Sequence, residues 1–166
     1  MKSLEAISLE IGRRLKASGQ LLVTAESCTG GWAAQAVTSV AGSSDWFERG
    51  FVTYSNDSKR ELLGVAEETL RKCGAVSEET AREMALGALG RSKGTLALAI
   101  TGVAGPTGGS KQKPVGTVCF AWARKGAAAH SETKRLKGDR ESVRRQSVIR
   151  ALEGVIELLE EKGREG

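Results

Sequence analysis

The chain is poor in several residue types: among its 166 residues it has one histidine, three cysteines, two prolines and 4% aromatic residues. Since His130 is the only histidine, one chain cannot build a histidine-based metal cluster, and a Ser-His-Asp triad would have to use this residue. His130 lies in an alternating stretch typical of an exposed strand, which favours a surface position without a catalytic role. A serine or cysteine nucleophile in this protein therefore needs a different base.

The three cysteines, Cys28, Cys73 and Cys119, are scattered and contain no C-x-x-C pair. An odd number without that spacing argues against a disulfide framework and against a zinc site, and it fits a reducing cytoplasm. The chain also lacks an apolar run long enough to cross a bilayer, and acidic Glu5 near the N-terminus does not fit a signal peptide. We therefore expect a cytoplasmic protein that is not attached to a membrane.

The charge and length of the chain are those of an ordinary globular domain. The net charge of +5 suits a ligand that carries phosphate. No dense basic run with interleaved aromatic residues is present, which argues against nucleic acid as a partner. The length fits one domain over residues 1–166, with a core built mainly from Ala, Val, Leu and Ile because aromatic residues are few.

Apolar periodicity predicts helices that alternate with strands over the first two-thirds of the chain, then two antiparallel strands and a long last helix. The predicted strands cover residues 20–25, 49–54, 95–101, 116–124 and 129–136. The predicted helices cover residues 4–18, 30–40, 58–63, 67–72 and 78–90, with N-caps at Asn56 and Ser77 for the third and fifth, and a last helix begins after Asp139. This order predicts an α/β sandwich with a mixed, mostly parallel sheet.

Small hydroxyl and thiol residues lie where the first strand passes into a helix, in the run from Thr24 to Gly31. The backbone N–H groups at such a junction point outward at the positive end of the helix dipole, where they can hold an oxyanion or a phosphate. Ser27 is a candidate nucleophile, and Cys28 is a rival because a thiol near a helix N-terminus ionises more readily. The alternative is a polar N-cap followed by a glycine turn formed by Gly30 and Gly31.

Polar residues follow two further strands, and ligands in α/β proteins lie beyond the carboxyl ends of strands. With histidine excluded, Lys59 is the best candidate base, since burial and a helix N-terminus both lower the pKa of an ammonium group. Tyr54 is placed to support the lysine or to donate a hydrogen bond. The alternatives are a solvated surface lysine and an aromatic ring that fills the edge of the core.

The glycine-rich segment after Thr101 permits a ligand to approach the backbone closely, above all at Gly102 and Gly105. It lacks the Gly-Lys-Ser/Thr ending of a phosphate-binding P-loop and does not fit the dinucleotide fingerprint. Arg140 opens the last helix, where a guanidinium group can clamp a phosphate or a carboxylate. Glu26 is placed either to orient a ligand or to cap the helix that follows.

Six segments together closely resemble the C-terminal domain family of the competence/damage-inducible protein CinA: AESCTGGW, GFVTYSNDSKRELLGV, GAVSEETAREMA, ITGVAGPTGGS, KPVGTV and GDRESVRRQ. They occur in the same order and cover nearly the whole chain. The narrower resemblance is to the stand-alone bacterial nicotinamide-mononucleotide deamidases of this family. The resemblance implies a three-layer α/β/α sandwich that forms homo-oligomers, without the N-terminal domain found in CinA itself.

The resemblance also implies an activity: an amidohydrolase of the linear-amide class (EC 3.5.1) that converts nicotinamide mononucleotide and water to nicotinate mononucleotide and ammonia in pyridine nucleotide recycling. It implies no metal and no cofactor. The family's serine nucleophile matches Ser27 and its lysine base matches Lys59, while the assisting tyrosine, threonine and arginine match Tyr54, Thr101 and Arg140. The alternatives are a nucleotide-binding module without catalysis and an amidase for a related pyridine amide.

Overall fold

The computed structural model describes residues 3–165. Its helices are α1 (Leu4–Ser18), α2 (Trp32–Thr38), α3 (Asn56–Leu63), α4 (Glu67–Cys73), α5 (Glu78–Gly90) and α6 (Arg140–Glu165), with a short 3₁₀ turn at Ser43–Asp45. Its strands are β1 (Leu22–Glu26), β2 (Phe47–Val52), β3 (Leu96–Gly102), β4 (Thr117–Arg124) and β5 (His130–Arg135). Every strand and helix predicted from the sequence is present within a few residues of its expected ends.

The five strands form one mixed sheet in the order β2-β1-β3-β4-β5. β1 lies between β2 and β3 and is parallel to both, whereas β4 is antiparallel to its neighbours β3 and β5. Four strands thus run in one direction and only β4 is reversed, which confirms the predicted mixed, mostly parallel sheet.

Helices cover both faces of the sheet and create two hydrophobic cores. Helices α1, α2 and α6 pack together over one face, and α5 covers the other with α3 and α4 against it. Neighbouring residues of one strand serve different cores because side chains alternate: Leu22 packs with Ile11 and Leu152, and Val23 packs with Met84. The predicted three-layer α/β/α sandwich is therefore confirmed, and β1, β3 and β4 are mainly apolar because both of their faces are buried.

The helix ends follow the sequence closely, with one correction. Ser77 caps α5 through its hydroxyl, which accepts from the N–H of Thr80, as predicted. The N-cap of α3 is Ser55, whose Oγ accepts from the N–H of Ser58 at 3.0 Å. The prediction of Asn56 as this cap was wrong by one residue, because serine and asparagine are both good caps and pattern alone does not separate adjacent ones. No helix within residues 3–165 has the length and hydropathy needed to span a bilayer.

The parallel register places three segments side by side at one edge of the sheet. Glu26, the last residue of β1, is level with Val52 of β2 and with Ile100 of β3. The residues that follow each strand therefore emerge together, and the N–H of Ser27 donates to the carbonyl of Ile100 at 2.9 Å. The polar groups after β1, β2 and β3 share this edge for that reason.

Candidate active site

Ser27 and Lys59 meet at the base of a cleft at this edge of the sheet. Lys59 Nζ lies 3.0 Å from Ser27 Oγ, and it also donates to the backbone carbonyls of Thr53 at 3.0 Å and Tyr54 at 3.2 Å. A neutral amine has two N–H donors, which match the two carbonyls, and its lone pair then faces the hydroxyl of Ser27. This arrangement has the geometry that a serine nucleophile and a lysine base require.

Lys59 is buried although lysine is almost always solvated, with only 1% of the residue exposed. It lies in α3, where the short helix carries it under the end of β2. No ion pair involves it within residues 3–165. Burial lowers the pKa of its ammonium group from the ordinary value, because the charged form loses its water. The sequence-based alternative of a solvated lysine is excluded by this position.

Cys28, the rival nucleophile, is next to Ser27 but is poorly suited to react. The residue is 7% exposed, and burial raises the pKa of its thiol to about 12. A thiol with that pKa holds its proton at neutral pH, and the thiolate is the reactive form. Ser27 therefore remains the better nucleophile.

Glu26 has the second of its two predicted roles: its carboxylate caps the N-terminus of α2. It is fully buried, and its carboxylate accepts from the hydroxyl of Thr29 at 2.6 Å and from the N–H groups of Ala33 at 2.8 Å and Ala34 at 3.1 Å. Those N–H groups belong to the first turn of α2, where a negative charge is favourable. Glu26 thus fixes the turn that carries Ser27.

We expect Glu26→Gln to destabilise the protein by about 1–3 kcal/mol, since the amide replaces one acceptor oxygen with a donor that faces the N–H groups of α2. The measurement is urea unfolding of the variant beside wild type. Glu153→Gln, an exposed position on α6, is the matched control and is expected to leave the free energy of unfolding unchanged. A Glu26→Gln variant as stable as the control would show that the carboxylate does not anchor the turn.

The cleft has a volume of about 190 Å³ and brings together all five catalytic and assisting side chains that the sequence singled out. Thr101 forms part of the wall, and its hydroxyl donates to the carbonyl of Ala75 at 2.8 Å. Arg140 lies at the mouth, where it donates to the carbonyl of Gly105 at 2.7 Å and to the hydroxyl of Tyr54 at 3.3 Å. Tyr54 is 64% exposed, so its ring does not fill the edge of the core.

The four glycines predicted to bind substrate have different positions. Gly102 lines the cleft and packs against β4, where an added Cβ would lie 2.8 Å from Val118. Gly105 contributes its carbonyl to Arg140. Gly30 and Gly31 have positive φ values of 58° and 103°, and they turn the backbone from β1 into α2 rather than lining the cleft.

His130 begins β5 beside Trp122, at the far end of the sheet from the cleft, and is exposed as predicted. A larger cavity of about 350 Å³ lies on the other side of Val76, which lines both. None of the predicted site residues lines this cavity. Polar groups that line it bind one another: Glu78 accepts from Thr133 at 2.7 Å, and Lys113 donates to the carbonyl of Cys73 at 2.6 Å.

Comparison with known proteins shows which family the chain belongs to. The sequence model of the CinA C-terminal domain family matches residues 4–159 of this chain. The nicotinamide-nucleotide amidohydrolase PncC of Escherichia coli K12 is 52% identical over 147 residues, which cover 89% of each chain. The protein of the same name from Pseudomonas putida is 48% identical over 158 residues, covering 95% of this chain and 98% of the relative. The chain belongs to the CinA C-terminal domain family.

A solved structure of the CinA family has the same fold. The competence/damage-inducible protein CihA from Agrobacterium tumefaciens superposes with a TM-score of 0.92 at 45% identity, covering 95% of this chain and 96% of that one. The resemblance found in the sequence is therefore confirmed over nearly the full length of the chain.

One residue in this member of the CinA family was missed as a contributor to the site. Arg144, one helical turn after Arg140, donates from Nε to the carbonyl of Cys28 at 3.1 Å and from Nη2 to the carbonyl of Thr29 at 3.2 Å. Sequence pattern shows it only as one of several basic residues near the start of α6. The four-residue spacing from Arg140 was the available signal, because it places both residues on one face of the helix.

Proposed function

We propose that this protein hydrolyses the carboxamide of nicotinamide mononucleotide to nicotinate mononucleotide and ammonia, with Ser27 as nucleophile and Lys59 as general base. The observation that carries the proposal is the 3.0 Å contact between Lys59 Nζ and Ser27 Oγ at the bottom of the cleft. The relatives named nicotinamide-nucleotide amidohydrolase, about half identical over most of the chain, supply the substrate.

The first half of the reaction forms an ester. Neutral Lys59 takes the proton of Ser27 as Oγ bonds to the carboxamide carbon, and the carbonyl oxygen becomes an oxyanion. The protonated lysine then gives its proton to the amide nitrogen, the C–N bond breaks and ammonia leaves. Ser27 now carries the nicotinyl group as an ester, and Lys59 is neutral again.

The second half consumes water. Lys59 takes a proton from a water molecule as its oxygen attacks the ester carbon, and the C–Oγ bond breaks as the proton returns to Ser27. The carboxylic acid so formed releases its remaining proton to the solvent, and the product leaves as the carboxylate. Ser27 and Lys59 are within hydrogen-bonding distance of each other, and in this proposal Lys59 serves as base and acid in both halves.

Backbone N–H groups of the turn between β1 and α2 supply the oxyanion site in this proposal. In the part of the chain that the structure describes, the N–H groups of Cys28 and Thr29 donate to no other residue, and they follow the nucleophile by one and two positions. Unpaired N–H groups at that position stabilise negative charge as it develops. Arg140, at the mouth of the cleft, is the group we assign to the 5′-phosphate, and Tyr54 helps to hold it there.

The experiment is the release of ammonia from nicotinamide mononucleotide by the purified protein, in the presence of a metal chelator. We expect turnover with the mononucleotide and a kcat/KM lower by about 100-fold or more with nicotinamide, which lacks the ribose phosphate that Arg140 binds. Binding of the mononucleotide without release of ammonia would instead favour a binding module. Faster turnover of another pyridine amide would show that this amide is the substrate, and the proposed mechanism of Ser27 and Lys59 would still apply.

Further parts of the proposal stay predictions. We infer that residues 1–166 act as one amidohydrolase domain, that the protein works in the cytoplasm in pyridine nucleotide recycling, and that it forms a homo-oligomer, as the family resemblance implies. A reaction without metal or cofactor is also proposed, and the chelator in the assay tests the metal.

A further inference from the structure

The turn that carries Ser27 is held from two sides. Glu26 binds the first turn of α2 and the hydroxyl of Thr29 from the strand side. Arg144 reaches across from α6 and donates to two successive carbonyls of the turn, those of Cys28 and Thr29. The guanidinium also lies over the ring of Trp32, 5.6 Å from its centroid. Such a contact holds the planar group in one orientation.

The hydrogen bond from Arg144 to the carbonyl of Cys28 also orients the N–H of Thr29. Cys28 C=O and Thr29 N–H belong to the same peptide unit, which is planar and trans, so the two groups point in opposite directions. A carbonyl turned toward Arg144 therefore turns the N–H of Thr29 away from α6. That N–H has no acceptor in the described structure, and it lies two residues after the nucleophile.

The second hydrogen bond acts on the next peptide unit in the same way. The carbonyl of Thr29 points to Arg144, and the N–H of Gly30 in that unit donates back to the carbonyl of Ser27 at 3.1 Å. Gly30 has a φ of 58°, and an added Cβ would lie 3.5 Å from Nη2 of Arg144, so the side chain packs closely over the turn. The guanidinium group thus contacts both peptide units of the turn, and the N–H of Trp32, which donates to the carbonyl of Thr29 at 3.0 Å, also holds the second unit.

We propose that Arg144 is a positioning residue that sets the orientation of the Cys28–Thr29 peptide, so that the N–H of Thr29 stabilises the oxyanion formed on Ser27. Arg144 itself touches no reacting atom. The planar guanidinium group presents several N–H donors at fixed angles and so binds two adjacent carbonyls at once, whereas the ammonium group of a lysine has no such fixed geometry. This inference deepens the proposed amidohydrolase function and depends on it.

The test compares Arg144→Gln and Arg144→Lys with Arg145→Gln, which changes the next, exposed residue of the same helix. We expect Arg144→Gln to lower kcat by about 10- to 100-fold, because a small misplacement of an oxyanion donor is costly, while KM for the mononucleotide stays within about threefold. Arg144→Lys is expected to recover part of the loss, and Arg145→Gln to behave as wild type.

A second measurement separates an effect on the oxyanion from a general loosening of the fold. Pyridine-3-boronic acid forms a tetrahedral adduct with a serine hydroxyl and places a boron-bound oxygen where the oxyanion develops. We expect its affinity to fall in Arg144→Gln by the same factor as kcat/KM, with unchanged affinity for the product nicotinate mononucleotide. Thermal unfolding of every variant accompanies these assays, and Arg144→Lys supplies the comparison if Arg144→Gln does not fold.

Three results would overturn the inference while leaving the proposed function intact: unchanged kcat in both Arg144 variants, a rise in KM alone, or a loss of kcat with full affinity for the boronate. A wild-type protein that releases no ammonia from nicotinamide mononucleotide would overturn the proposed function instead, and the role of Arg144 in it.

Discussion

Ser27→Ala is expected to lower ammonia release from nicotinamide mononucleotide by at least about 1,000-fold, because the substitution removes the atom that forms the ester. The fold should not change. The N–H of Ser27 keeps its hydrogen bond to Ile100, and Glu26 and Arg144 still hold the turn. The measurement is kcat and KM for the variant beside wild type, with binding of the mononucleotide measured by calorimetry.

Two controls make this result specific. Cys28→Ala removes the neighbouring thiol, and we expect its activity to stay within about threefold of wild type, because a thiol with a pKa of about 12 is not the nucleophile. Ser8→Ala removes a buried hydroxyl of α1 that has no partner in the structure, and it controls for loss of a hydroxyl elsewhere. Loss of activity in Cys28→Ala, with activity retained in Ser27→Ala, would reverse the assignment of the nucleophile.

Lys59→Met is expected to lower kcat by about 1,000-fold or more, since among the described residues only Lys59 hydrogen-bonds to Ser27 Oγ, and the leaving ammonia loses its proton donor. Methionine has a similar length and keeps the buried volume filled. Lys16→Met, at an exposed lysine paired with Asp45, is the matched control and should leave kcat unchanged. A Lys59→Met variant with full turnover would end the Ser27–Lys59 mechanism.

The pH dependence follows from the lowered pKa of Lys59. The lysine must be neutral to act as base, so kcat/KM should fall as the pH drops through its pKa in the folded protein. Burial lowers that pKa, and the acid limb should therefore lie below about pH 10.4, where an ordinary lysine titrates. An acid limb at that ordinary value would indicate that Lys59 is not the base.

The lowered pKa of Lys59 also makes the free energy of unfolding depend on pH. Between the folded and the unfolded pKa of Lys59 the unfolded chain binds more protons, so stability rises with pH in that range. At neutral pH the buried lysine thus costs stability, and the cost disappears as the pH approaches about 10.4. Lys59→Met should accordingly gain stability relative to wild type at pH 7, and the gain should shrink in unfolding measured near pH 10.

Much of the fold was predictable because each element carries its own local signal. The apolar run from Thr95 to Thr101 predicted a strand buried on both faces, and β3 is such a strand. Ser77 and the glycine at position 19 predicted helix ends, and both are caps in the structure. The error at Asn56 came from two adjacent residues that cap equally well, a choice that depends on backbone geometry and not on residue type.

The site was predictable in part for a different reason. The order of strands placed three polar segments at carboxyl ends, and elimination of histidine left Lys59 as the best candidate base. The sequence kept Cys28 open as a nucleophile and gave Glu26 two roles. Burial decided both, since it raises the pKa of the thiol and places the carboxylate under the N-terminus of α2.

The sequence by itself determined the elements, the family and the candidate residues for the chemistry, because periodicity, caps and motifs are local properties of the chain. Only the tertiary structure decided which groups meet. The contacts of Lys59 with Ser27 and of Arg144 with Cys28 join residues 32 and 116 positions apart. Such contacts depend on sheet register and helix packing, and the lowered pKa of Lys59 exists only because that packing removes water from its amine.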